Sequence, residues 1–307
     1  MEPVTTRERG CLLLLSIMIV LYIPAVPCPA MLLHPVTAEQ PRANHSMWSW
    51  VAVYHGGVVD PRLAKQWTAQ VMQDRVIVDL YATYAPKRHG GYFVDLASND
   101  AVHWSNTLTL EQHFGWSGLC IEANPKYAAD YASRTCQLIQ AAVGAIENEA
   151  LQFDFRERGK MNGGFDNGAL GGIVGFENPA SAFSVTRYTV SLRKLLTDFH
   201  APAIIDYLSL DIEGAEFYAL EHFPFDKYTF RVMTAERPSK PLQEIFVMNG
   251  YTHLCNCGGF GDMLWMHHSF PNFEKVATRF SKSAADPSSI QCSKVLDVHG
   301  ADEKEVP

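Results

Sequence analysis

The side chains best placed to do chemistry in this chain are carboxylates, and three of them close short β-rich runs. Asp95 stands at the end of Tyr92-Phe93-Val94-Asp95-Leu96, Glu122 ends Leu119-Cys120-Ile121-Glu122, and Asp211 ends the run that starts at Ile204. Glu213, Glu216 and Glu236 follow nearby. A carboxylate at the mouth of a strand can accept hydrogen bonds from ribose hydroxyls, face a cation or take a proton from a hydroxyl. The turn after Asp95, Leu96-Ala97-Ser98-Asn99-Asp100-Ala101, contains no glycine. A pyrophosphate needs the G-x-G-x-x-G turn to approach the backbone closely, so this turn speaks against a nicotinamide dinucleotide. S-adenosylmethionine has no phosphates, and its charged methionine part wants carboxylates and backbone carbonyls.

These residues need a scaffold that brings strand ends together. The run 92–96, a helical stretch from Asn106 to Phe114, the second strand at 119–122, a helical stretch opened by Pro125 and a third strand from Gln137 to Val143 give a βαβαβ rhythm. Ser191 caps a helix from Leu192 to Phe199, and Ile204 to Asp211 is a fourth strand. Glu213 to Glu221 is expected as a helix, Phe230 to Glu236 as a fifth strand, and Pro241 to Met248 as a helix stopped by Asn249-Gly250. Tyr251 to Cys255 and Met263 to Met266 are separated by too few residues for a crossover helix, so they are expected to pair as an antiparallel hairpin. Val51 to about Leu80 reads as a lead-in helix or two. The glycine-rich stretch from Phe153 to Ser184 reads equally as a lid over substrate or a disordered loop.

The same residues resemble a known family. Gly91 to Leu96 with Asn99-Asp100 and Ser105 to Glu111 is similar to the first motif of FkbM-type methyltransferases. Ile121-Glu122-Ala123-Asn124-Pro125 is similar to the second, Ala142-Val143-Gly144 to the third, and Leu208 to Glu216 to the D-x-E-G-x-E signature. The family usually has glycine where this chain has Ala97 and Ala101. The resemblance implies a class I methyltransferase: a Rossmann-like, mostly parallel seven-stranded sheet ending in the hairpin. It implies that Asp95 and the turn Ala97, Ser98, Asn99 and Asp100 hold the methionine part of the cofactor. Glu122 would hold the ribose, and Ala142 and Val143 the adenine edge. Asp211, or Glu213 three residues before Glu216 on one helix face, would orient or deprotonate a substrate hydroxyl. Glu216 itself is expected as a solvated or salt-bridged surface residue. A divalent metal between Asp211 and Glu236 is not favoured, because strand-end carboxylates are common without one. His267-His268 is expected as plain surface and Trp265 as core.

The rest of the chain places the domain. Among 307 residues there are 25 Lys and Arg against 33 Asp and Glu, a net charge of -8, and no basic cluster, so a nucleic-acid partner is not expected. Arg7 and Arg9 precede an apolar run from Cys11 to Ile23. Residues 1–33 are therefore read as an export leader, either a signal peptide cleaved near Ala30 or a signal anchor. Both forms put everything downstream in a lumen or outside, as a type II single-pass or secreted protein. Asn44-His45-Ser46 is an N-glycosylation acceptor. Residues 34–70 are expected as polar linker and lead-in helix, 71–273 as the methyltransferase domain, and 274–307 as a disordered acidic tail. Cys120, Cys136, Cys255, Cys257 and Cys292 show no framework spacing, leaving one bridge possible; core packing is preferred over a metal for Cys255 and Cys257. The expected function is O-methylation of a glycan or small hydroxylated metabolite. The second reading is an inactive, membrane-linked binding or trafficking protein that keeps the fold.

Overall fold

The structure is a computed structural model and describes residues 52–55, 67–86, 90–155, 171–177, 180, 184–282 and 290–296. The expected leader, Asn44 and residues 156–170 of the glycine-rich insertion lie outside the described residues. Among the described residues no helix is long and apolar enough to cross a membrane.

The main sheet has eight strands: β1 (Ala52–His55), β2 (Tyr92–Leu96), β3 (Ser117–Glu122), β4 (Gln137–Gln140), β9 (Ile204–Leu210), β10 (Thr229–Glu236), β11 (Tyr251–Asn256) and β12 (Asp262–His267). Their spatial order is β1-β4-β3-β2-β9-β10-β12-β11. The five central strands from β4 to β10 run parallel, while β12 is antiparallel to β10 and to β11, which forms the expected hairpin. A second sheet of four strands, in the order β5-β8-β6-β7, joins β5 (Ala142–Val143), β6 (Ala150–Asp154), β7 (Gly172–Ile173) and β8 (Ser184–Val190). The fold is thus α/β with a mixed sheet, and the seven-strand expectation is one strand and one sheet short. The extra strand comes from Ala52–His55, which pairs antiparallel with β4 rather than forming the expected lead-in helix. Four residues can complete a sheet edge but are too few for a stable helix.

Helices cover both faces of the main sheet. They are α1 (Gln73–Tyr84), α2 (Leu108–Phe114), α3 (Leu192–Asp198), α4 (Glu216–Leu220), α5 (Lys240–Met248), α6 (Phe273–Ser281) and α7 (Cys292–Val295). Alternation along each strand divides the core: Phe93, Cys120, Leu138 and Tyr207 pack on one face with α1 and α6, and Val94, Leu119, Ile139 and Leu208 on the other with α3 and α5. Ser191 caps α3 as expected, its Oγ accepting from Lys194 N–H at 3.2 Å. Helix α4 starts at Glu216, so Glu213 lies in the preceding turn and not on the helix. Pro125 opens only a short 3-10 turn.

The C-terminal stretch departs furthest from expectation. Residues after 273 form α6, whose Val276 and Phe280 are buried, and α7, which is bridged to β11 by the Cys255–Cys292 disulfide. Two apolar residues four apart suffice to dock a helix whose other face is polar. A second disulfide joins Cys120 to Cys136, where one bridge was expected. Cys257 keeps a buried thiol, 3.5 Å from Cys292 Sγ.

Candidate active site

The strand order reverses between β2 and β9, and ligands of open parallel sheets bind beyond the carboxyl ends of the strands at that point. A cavity of about 400 Å³ lies there. Its walls include Asp95, Leu96, Ala97, Ser98, Asn99, Asn106, Glu122, Ala141, Val143, Asp211, Glu213, Glu236 and Arg237. Three strands end against it in sharp turns: Ala97, Glu213 and Arg237 adopt left-handed backbone with φ of 63°, 55° and 42°. These turns leave each strand-end carboxylate at the mouth instead of carrying it onward.

The first turn is fastened from inside the protein. Ala97 N–H and Ser98 N–H both donate to Ile121 O, at 2.9 and 3.0 Å, and Asn99 N–H donates to Glu122 Oε2 at 2.8 Å. The amides that would cradle a pyrophosphate are therefore already engaged, in agreement with the glycine-free turn. Asp100 Oδ1 accepts from the N–H groups of Val102 and His103, both at 2.8 Å, so Asp100 closes the turn and lies outside the cavity wall. Beneath the turn, Arg134 is fully buried and donates to Glu111, Ala101 O, Ser105 Oγ and Thr107 Oγ1. Thr107 in turn donates to Asp95 Oδ2 at 2.6 Å. Asp95 is buried, and desolvation pushes its carboxyl above the ordinary range despite that bond.

Glu122 accepts from Asn99 N–H and, through Oε1, from Asn124 N–H at 2.7 Å. Burial raises its carboxyl to about 7, against the pull of these two donors. The chain then leaves the main sheet for the second one. Ala141 and Val143 line the cavity, whereas Ala142 between them does not and packs with Phe153, Ile173 and Ala215. Of the expected pair, Val143 lines the cavity, with Ala141 in place of Ala142 beside it. Phe153, Phe155 and Ile173 of the second sheet and its flanks form an apolar wall beside them.

The acids at the other end stand in register. Ala235 on β10 is paired with Leu210 on β9, so the next residues, Glu236 and Asp211, emerge side by side, and Glu236 is paired with Asp262 on β12. Asp211 is open to the cavity on one side and surrounded by protein on the others. Its carboxyl is held well above the ordinary range by burial, then by repulsion from Glu236, with which it shares a hydrogen bond, and from Glu213 and Asp262. Burial first, then Glu236, raises Glu213 to about 7, and Arg237 pulls it back. Arg237 lies 2.7 Å from Glu236, 2.9 Å from Glu177 and 3.5 Å from Glu213. Glu216 is buried, not solvated: its Oε1 accepts from Ile212 and Gly214 N–H, closing the turn that carries Glu213.

The geometry thus brings together Asp95, Ala97, Ser98, Asn99, Glu122, Val143, Asp211 and Glu213, and excludes Asp100 and Ala142. It adds Asn106, Trp104, Arg237 and Ala141, none of which has a residue-type signal strong enough to be read from sequence. Among the described residues one trio of metal-type side chains converges, Glu111 with Cys120 and Cys136, but the sulfurs bond each other and the carboxylate holds Arg134. No curated protein and no solved structure matches the chain. A profile of the Methyltransferase FkbM domain matches residues 89–263, from before β2 into β12, and so takes in the cavity walls apart from Gln70 and Gln73. That match covers more than half of the 307 residues, and the chain belongs to the FkbM methyltransferase family.

Proposed function

We propose that this protein is an S-adenosylmethionine-dependent O-methyltransferase, acting on a glycan or small hydroxylated metabolite in the secretory pathway or outside the cell. The observation that carries this reading is the charge of the cavity. Among the described residues, Asp95, Glu122, Asp211, Glu213 and Glu236 line it against a single guanidinium, Arg237. Such a site favours a ligand with positive charge and no phosphate. Bound S-adenosylmethionine supplies a methyl group on a sulfonium, which passes to an oxygen nucleophile as the carbon–sulfur bond breaks.

The protein's own residues then have separate tasks. Glu122 retains lone pairs for ribose hydroxyls, and Val143 with Ala141 offers an apolar edge for the base. Asp211 and Glu236 hold one proton between them, because two carboxylates side by side resist double ionisation. Arg237 lies 2.7 Å from Glu236, and the Asp211–Glu236 pair takes the proton from the substrate hydroxyl. Glu213 and Arg237 orient that hydroxyl. The two disulfides support an oxidising compartment, and the apolar segment at 11–23 supplies the route there, as cleaved signal or type II anchor.

Calorimetry with S-adenosylmethionine and S-adenosylhomocysteine tests the cofactor, and methyl-labelled S-adenosylmethionine with a panel of glycans and hydroxylated small molecules tests the reaction. Micromolar binding that is lost in Glu122→Ala and label in an ether product are expected. No binding by the intact protein would end this reading.

A further inference from the structure

Three sulfurs meet at the root of the β11–β12 turn, where the sequence carries its Cys-x-Cys. Cys255 lies near the end of β11, Cys257 follows two residues on, and Cys292 opens α7. Residues two apart on an extended chain point to one side, so both cysteines reach the same helix. Cys255 is bonded to Cys292, and the Cys257 thiol donates to Cys292 Sγ at 3.5 Å. All three are buried. Closing that gap to a sulfur–sulfur bond of about 2.05 Å needs a movement of only about 1.5 Å. Cys292 therefore has two partners within reach, and the methyl transfer proposed for the cavity uses none of the three.

Exchange among them needs no oxidant or reductant. Cys257 gives up its proton and its sulfur attacks Cys292 Sγ; the Cys255–Cys292 bond breaks, and its electron pair leaves on Cys255, which takes up a proton. One disulfide and one thiol stand on each side of the step. Burial first, then the Asp262 carboxylate, pushes the Cys257 thiol up, and the phenol of Tyr207 stands near it as well. A thiol kept protonated attacks slowly, so at neutral pH a bridge once made is slow to change. What the exchange moves is the point where α7 is fastened. The link to Cys255 lies within β11, whereas Cys257 starts the loop that returns to Asp262, and its N–H donates to Asp262 O at 2.9 Å. That loop rests on the site: Arg237 N–H donates to Gly261 O at 3.1 Å, and the exposed ring of Phe260 is part of the cavity wall. A link to Cys257 ties α7 to this loop directly.

We propose that Cys255, Cys257 and Cys292 form a disulfide-exchange site, a redox-neutral switch that moves the bridge to α7 between strand β11 and the loop that carries Phe260 to the cavity. It operates whatever ligand the cavity takes.

The test follows the free thiol residue by residue. The intact protein is incubated at about pH 9 to supply thiolate, at two protein concentrations, quenched in acid, denatured and alkylated with N-ethylmaleimide. Fragment-ion mass spectrometry then assigns the label to Cys255 or Cys257. The label should spread from Cys257 to Cys255 at a rate independent of protein concentration. Label that stays on Cys257 alone, or a rate that rises with concentration, would overturn the inference. A second measurement uses variants isolated oxidised. Cys255→Ser should carry a Cys257–Cys292 bridge, with neither sulfur alkylated, and Cys257→Ser should keep Cys255–Cys292. Alkylation of both Cys257 and Cys292 in Cys255→Ser would overturn the inference; if that variant did not fold, the wild-type label would still decide. The amides of Gly258 to Gly261 should exchange hydrogen about threefold or more slowly in Cys255→Ser than in Cys257→Ser, because the bridge then sits at their root. Equal exchange in the two would overturn the link to the cavity loop.

Discussion

Replacing Glu216 by glutamine should stabilise the protein at alkaline pH and leave it unchanged in acid. Glu216 is only 2% exposed, and burial raises its carboxyl from 4.5 to about 7. An acid whose folded value exceeds its unfolded value keeps more protons in the folded state. Its stabilisation is therefore complete below about pH 4.5 and is lost as pH rises through 7. The gap, about 7 minus 4.5, is 2.5 units, and at about 1.36 kcal/mol per unit the ionised side chain costs up to about 3 kcal/mol at pH 8. Glutamine has the same shape and an oxygen for the N–H groups of Ile212 and Gly214, and it never ionises. Urea unfolding of both proteins at pH 4.5 and pH 8 should give unfolding free energies that coincide in acid and separate by about 3 kcal/mol in base. Glu216→Ala, which strands both donors, should be destabilised by about 1–3 kcal/mol at both pH values. A constant difference between glutamine and wild type at the two pH values would refute the reasoning, because it would mean that Glu216 titrates alike in the folded and unfolded chain.

Three further outcomes follow from the geometry. Ala97→Gly should raise stability by about 0.5–1 kcal/mol, since a left-handed alanine costs about 1–2 and glycine's freedom returns about half of that; Ala219→Gly, inside α4, should have the opposite sign in the same melts. Cys292→Ser should cost about 2–4 kcal/mol by opening the bridge that holds α7, while Cys257→Ser should stay within about 1 kcal/mol, both read by thermal unfolding. Glu236→Gln should leave S-adenosylhomocysteine affinity within about threefold yet lower methyl transfer about 100-fold or more, read with methyl-labelled cofactor.

What was legible in the sequence was whatever rests on local pattern. The central strands follow from short apolar runs such as Leu119-Cys120-Ile121, and the hairpin from the seven-residue gap between Cys255 and Met263, too short for a crossover. Asp95, Glu122 and Asp211 were found because strand ends fix where a side chain emerges. The misreadings are all cases where tertiary partners decide. Ala52–His55 becomes a strand only because β4 offers an edge, and α6 docks through two residues of an otherwise polar stretch. Glu216 has the composition of a surface position, and only the turn above it, which needs an acceptor for two N–H groups, draws it inside. Arg237 is an ordinary residue by type, and its importance lies in the carboxylates that stand across from it.

The row formed by Asp211, Glu236 and Asp262 shows why the domain keeps an arrangement that costs stability. Parallel and antiparallel registers put three carboxyls on neighbouring strands, roughly 5 Å apart, the spacing of a sheet. Burial and repulsion work against ionisation of Asp211 and Asp262, and Arg237 stands close to Glu236 while also serving Glu177 and Glu213. A sequence selected for stability alone would replace one of these acids by an amide. Their joint presence makes sense if a cationic ligand completes the balance, since each positive charge brought into the cavity relieves several repulsions at once. On the proposed cofactor reading, the same excess of carboxyl over guanidinium would favour a sulfonium over its neutral product, the difference a methyl-transfer cycle needs to release one and take up the other.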